Sequence, residues 1–178
     1  MSSERDILES LDQAVRAPRA ATFLSALVED VASILKRDPT TRLAWRTVPL
    51  NIYAPLPAGI ASSWVFVLRA RNSSGAERHP NSIQRVMSYQ GWADMRTWNG
   101  VRWVSNHLRS EPNESIENRW LSIPANMWHR PVMADVDWAV VSFHTASDAE
   151  LIEELPLDDE RPDRGCRAAE VYAGRQAR

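Results

Sequence analysis

Glu77-Arg78-His79-Pro80-Asn81-Ser82-Ile83-Gln84, read together with Pro124-Ala125-Asn126-Met127-Trp128-His129, is the pair of segments around which the chain is organised. They carry two of the four histidines, and each adjoins an expected β-strand. Residues two apart on a strand point to the same face, so Glu77 and His79 project together, and a return strand adds Gln84. Pro124 marks the end of another strand, after which His129 completes the group. One carboxylate with two imidazoles is a competent donor set for Fe(II), Mn(II), Ni(II) or Zn(II). It lacks the thiolates of a structural zinc site and leaves coordination positions open to a substrate or O2.

Outward from these segments, the chain reads as short strands separated by turn residues. Leu43, Trp45 and Thr47 alternate with Ala44, Arg46 and Val48, ahead of the bend Tyr53-Ala54-Pro55-Leu56-Pro57. Ser63–Arg69 is a β-branched and aromatic run, and Asn72-Ser73-Ser74-Gly75 turns the chain. Further strands are expected at Ile83–Tyr89, Ala93–Trp98, Val101–Leu108, Arg119–Ile123 and Val136–His144. Asn99-Gly100 predicts a two-residue hairpin turn, because both residues tolerate positive φ. Strands at this spacing predict an all-β barrel or sandwich.

Two helices precede the strands. Ser3 and Asp6 form a capping pair for a helix carrying Ile7, Leu8, Leu11 and Val15; Pro18 interrupts, and Phe23 to Leu35 forms a second apolar stripe. Both stripes are expected to pack on the main domain or on a dimer mate. Beyond Thr145 the chain turns acidic, with Pro156, Pro162, Gly165 and Gly174, and a weakly ordered tail or one draped over a neighbour is expected. The organisation predicted is a helical segment over 1–40, a β-barrel over 41–147 and an acidic tail over 148–178.

With 178 residues and a formal net charge of −2, the chain has no basic field to hold a polyanion, so no nucleic-acid partner is expected. It offers no apolar leader or membrane-length window; a cytoplasmic protein without a membrane partner is the expectation. Cys166 is the single cysteine, which excludes an internal disulfide and a thiolate metal cluster. Lys36 is the sole lysine, leaving no Schiff-base candidate. Six of the eight tryptophans lie between residues 92 and 138 and predict a barrel wall or a lined pocket.

The two segments resemble the motifs of the cupin family. The family's first motif reads His-x-His, four residues, Glu, six residues, Gly, and Glu77-x-His79, four residues, Gln84, six residues, Gly91 keeps every interval. The second, Pro-x-Gly-x-x-His, is matched in spacing by Pro124-x-Asn126-x-x-His129. The resemblance covers roughly residues 60 to 145. It implies a mainly β fold, a cupin-type double-stranded β-helix (jelly-roll barrel) with two N-terminal α-helices and the acidic C-terminal tail. It also implies metal-ligand positions at Glu77, His79, Gln84 and His129. Glu77 stands where the family has histidine, Gln84 where it has glutamate, and Asn126 where it has glycine. The alternative is a metal-free barrel in which Glu77 pairs with Arg78, Arg85 or Arg130.

His144 shares a face with Trp138, Val140 and Ser142; if that face is the lumen, it is the candidate catalytic acid or base. His107, on the expected strand Val101–Leu108, reads as a core or wall histidine or a substrate contact. Arg85 and Tyr89 lie opposite Gln84, on the exterior. Arg78 and Arg130 flank the ligand positions, where a guanidinium could bind an anionic group. The resemblance implies a divalent transition metal, Fe(II) first and Mn, Ni or Zn next. It also implies a small-molecule substrate and a non-haem dioxygenase activity, while a homodimer formed through barrel edges and the N-terminal helices is expected because open sheet edges want cover. A small-ligand-binding or sensing module without turnover, and a cupin isomerase or lyase, are the alternatives.

Overall fold

A computed structural model describes residues 3–53 and 55–169; Ala54 and Gly174, both named above, lie outside the described residues. Two helices come first, α1 (Glu4–Arg16) and α2 (Pro18–Arg37). The strands are β1 (Leu43–Thr47), β2 (Ser62–Leu68), β3 (Gln84–Gln90), β4 (Trp92–Trp98), β5 (Trp103–Val104) and β6 (His107–Arg109). A single helical turn, α3 (Ile116–Arg119), leads into β7 (Trp120–Ile123), β8 (His129–Met133) and β9 (Trp138–His144), and a hairpin of β10 (Glu154–Pro156) and β11 (Cys166–Ala168) closes the described chain. No helix among the described residues is long and apolar enough to cross a membrane.

α1 begins where its sequence says it should. The Ser3 hydroxyl accepts from Asp6 N–H at 3.2 Å while the Asp6 carboxylate accepts from Ser3 N–H at 2.8 Å, a reciprocal cap. Pro18 then opens α2, where a missing N–H costs nothing. At the far end of α2, Arg69 donates to the Leu35 and Asp38 carbonyls, satisfying terminal acceptors and pinning the helix to β2.

The barrel is made of two sheets. One runs β1-β2-β9-β3-β7; in the other β4 is central, with β5 and β6 along one edge and β8 on the opposite edge. Alternation along the first sheet sorts its side chains into two cores. Val65, Val67, Met87, Val141 and Phe143 face outward and pack with Leu11, Leu24, Val31 and Leu35 of the helices. Leu68, Val86, Trp138 and Val140 face inward and meet Ala93, Met95, Leu108 and Met133 of the second sheet. Most of both apolar stripes therefore packs on the chain's own barrel, with Phe23 left 37% exposed. Arg85 and Tyr89 are outside the lumen as expected, yet covered: Arg85 is buried against Glu4 of α1 at 2.6 Å, and Tyr89 bonds Ser25 of α2 at 2.9 Å.

Four expectations are corrected. The strand expected over Val101–Leu108 is two, because the Asp94 carboxylate takes Ser105 Oγ and Asn106 N–H, both at 2.8 Å, and breaks the ladder there. His107 consequently faces solvent instead of lying in the core or wall. The Asn99-Gly100 turn is a four-residue loop, since Trp98 pairs with Trp103 and the Asn99 side chain accepts from Val101 and Arg102 N–H. The acidic segment is ordered through Ala169: Leu151 is buried, Arg78 and Glu154 exchange backbone hydrogen bonds at 3.0 Å, and Arg130 pairs with Glu160.

The tryptophans do not form one wall. Trp138 fills the lumen and donates to Ser88 Oγ at 2.8 Å, Trp120 packs on the helix side, and Trp92 is 42% exposed. Trp128 and Trp103 lie beneath the guanidinium groups of Arg78 and Arg130, 4.5 and 4.4 Å from the ring centroids.

Candidate metal centre

Glu77 and His129 are opposite members of an antiparallel bridge, each accepting the other's N–H at 2.9 Å. Opposed residues in such a pair put their side chains on one face, and His79, two residues on, joins them. Asn126 N–H donates to the His79 carbonyl at 2.9 Å, and Asn126 itself takes φ 69°, the left-handed turn conformation that asparagine tolerates better than most side chains. The Pro124–His129 spacing thus does a mechanical job: it turns β7 back so that β8 starts opposite Glu77.

One ligand atom from each of Glu77, His79 and His129 lies within 4.8 Å of the others. His129 Nε2 is 3.4 Å and His79 Nε2 3.9 Å from Glu77 Oε1. The opposite ring nitrogens are both tied to carbonyls: His79 Nδ1 to Ile152 O at 3.2 Å and His129 Nδ1 to Met127 O at 3.0 Å. A carbonyl can only accept, so in each neutral ring the proton sits on Nδ1 and the Nε2 lone pair is turned toward the carboxylate. His129 Nε2 is buried with no hydrogen-bond partner among the described residues. Nitrogen lone pairs and a carboxylate oxygen converging in a buried space suit a cation between them, and carbonyl-anchored Nδ1–H groups are the usual support of metal-bound imidazoles.

The arginines proposed as partners of Glu77 are engaged with other acids. Arg78 is 2.6 Å from Glu154, Arg85 2.6 Å from Glu4, and Arg130 2.7 Å from Glu160. Arg78 and Arg130 therefore fasten the acidic segment across the barrel end.

Gln84 begins β3 on the lumen face, with its Cα opposite His144 and Ile123. His144 ends β9 on the same face, buried, with its ring 5.1 Å from that of His79 and edge-on to it. Its nitrogens meet two serines, Ser142 Oγ at 3.0 Å from Nε2 and Ser82 Oγ at 3.5 Å from Nδ1. Ser82 and the carbonyls of Met127 and Ile152 are site components that sequence reasoning missed, and Ser142 was placed on the His144 face without a role. Ser142 had a signal, a hydroxyl two residues before His144 inside an apolar strand, whereas Ile152 contributes only backbone and left none.

Burial holds the His79 imidazole down to about 4, against the pull of Glu77, and places His144 well below the ordinary histidine range. Both rings are neutral in the fold at pH 7, and the unfolded chain takes up their protons first as pH falls. Stability of the metal-free protein is therefore full above about pH 6.5 and lost progressively toward pH 4, with His79 alone contributing about 2 kcal/mol of loss by pH 5. Urea unfolding at pH 7 and pH 5 should show that difference in the wild type and a smaller one in His79→Asn; equal pH dependence in both would remove His79 as its source.

No family model matches this sequence, and no curated protein matches it. Solved structures do match. Pumpkin seed globulin superposes with a TM-score of 0.50 at 18% identity over 65% of this chain and 28% of its own. The coconut allergen cocosin gives 0.50 at 13% identity over 65% and 29%. Procruciferin, an 11S globulin of Brassica napus, gives 0.50 at 14% identity over 68% and 30%. All three are likenesses of the two-sheet barrel. The fold is a cupin. The chain spans less than a third of the length of each of these three proteins, so the likeness carries the fold alone. Within this cupin barrel, Glu77, His79 and His129 are the residues that come together as a candidate metal centre.

Proposed function

We propose that this cupin is a metal-dependent enzyme acting on a small organic molecule, and that its reaction is a non-haem dioxygenation. The observation that carries the reading is the Glu77, His79 and His129 cluster, two imidazole nitrogens and one carboxylate oxygen within 4.8 Å of one another. Two histidines and one carboxylate with open positions is the donor set of non-haem Fe(II) oxygenases. Fe(II) bound there would supply one-electron chemistry toward O2 and Lewis acidity toward the substrate. The chain's own residues would hold the ligand rings in one tautomer through Met127 O and Ile152 O, and His144, whose ring lies 5.1 Å from that of His79, is the candidate acid or base. A binding or sensing module without turnover is the second reading, favoured by a neutral Gln84 where the family's motif has glutamate.

The test needs no substrate. Anaerobic reconstitution with Fe(II) should give a stoichiometric complex, and nitric oxide, an O2 surrogate, should then give the EPR signal of a high-spin iron nitrosyl. Failure to retain Fe, Mn, Ni or Zn would sink the metalloenzyme reading; retention without a nitrosyl signal would leave the binding module or an isomerase or lyase. Oxygen uptake with chelating organic substrates then identifies the reaction.

A further inference from the structure

Gln84 is 6% exposed, and its amide has one satisfied end. The nitrogen donates to Ser142 Oγ at 3.2 Å, while Oε1 is buried with no hydrogen-bond partner among the described residues. Ser142 Oγ is also 3.0 Å from His144 Nε2. Ser142 Oγ has two lone pairs and accepts this N–H, which turns the amide nitrogen toward Ser142 and the carbonyl away from it.

What remains is a fixed acceptor on the lumen face, on the residue opposite His144, whose ring touches His79. A buried carbonyl oxygen without a donor is costly and rare. We propose that Gln84 determines ligand specificity: its Oε1 accepts a hydrogen bond from a molecule that binds the metal through an oxygen still carrying its proton, a water or the hydroxyl of a chelating substrate. This rests on the metal reading above. It assigns Gln84 to the bound molecule and not to the metal, to which a neutral amide is a weak ligand.

Mn(II)-reconstituted protein, lactate and its O-methyl ether 2-methoxypropanoate provide the test. The ether is also the poorer chelator in free solution, so the readout is the change in the lactate-to-ether affinity ratio on substitution. Gln84→Leu should lower that ratio by about ten-fold while Mn(II) affinity shifts by less than about three-fold, and Ser142→Ala should give part of the same change. Gln84→Met serves if the leucine variant does not fold, as judged by thermal melting. An unchanged ratio with Mn(II) bound overturns the proposal alone. A fall of about ten-fold or more in Mn(II) affinity overturns it by placing Oε1 on the metal. Wild-type protein that binds no Mn(II) overturns it together with the metal reading.

Discussion

His79→Ala and His129→Ala should each lose the stoichiometric metal proposed for the wild type, with affinity falling by at least about 100-fold. Changing a group that merely supports a ligand costs about 10- to 100-fold, and removing a ligand exceeds that. The two variants should part company elsewhere. His129 Nδ1 bonds Met127 O within its own turn, whereas His79 Nδ1 bonds Ile152 O, 73 residues away in the acidic segment. His79→Ala should therefore also expose Ser147–Ala169 to proteolysis, and His129→Ala should not. Elemental analysis with limited trypsin digestion checks both. Wild-type metal content in either variant would remove that histidine from the site.

Asp12→Ala should cost about 3–5 kcal/mol of unfolding free energy, the largest stability effect expected of a single polar residue here. Asp12, on α1, accepts from both terminal nitrogens of Arg119 and, at 2.9 Å, from Trp120 Nε1. Arg119 is only 7% exposed, so truncation strands a buried guanidinium and an indole N–H together. Asp12→Asn should fall between, since it keeps an acceptor for Trp120 and gives up the charge. Glu9→Ala, which breaks an exposed pair with Arg5 on the same helix, should leave the urea midpoint unchanged. Equal midpoints for the Asp12 and Glu9 variants would show that the Asp12–Arg119 pair does not hold α1 on the barrel.

Much of the site was legible because its spacing is mechanical. The interval from Glu77 to His79 is one strand period, and Pro124 to His129 is one turn whose tight residue, Asn126, tolerates the conformation required. The helices were legible from their stripes and from the Ser3 cap. His144 was harder. Every residue of β9 is buried, so its hydrophobicity carries no alternation from which an inward face can be read. β8 escaped because its five residues, with Pro131 at the centre, look like a loop until β4 is there to pair with them. The break at Ser105-Asn106 depends on a side chain eleven residues earlier, Asp94. The ordering of the acidic segment depends on Arg78 and Arg130, which in sequence alone look like solvated arginines or anion binders. In each case the deciding contact is long-range.

β9 has a consequence of its own. Trp138, Val140, Ser142 and His144 belong to the lumen, while Ala139, Val141 and Phe143 belong to the layer beneath the helices. A substitution scan over the last four positions of β9, Val141 to His144, should alternate between two outcomes. Toward the helices, changes at Val141 and Phe143 would register as lost protein. Toward the lumen, changes at Ser142 and His144 would yield folded protein with altered ligand behaviour. One strand thus reports on two separate properties at successive residues.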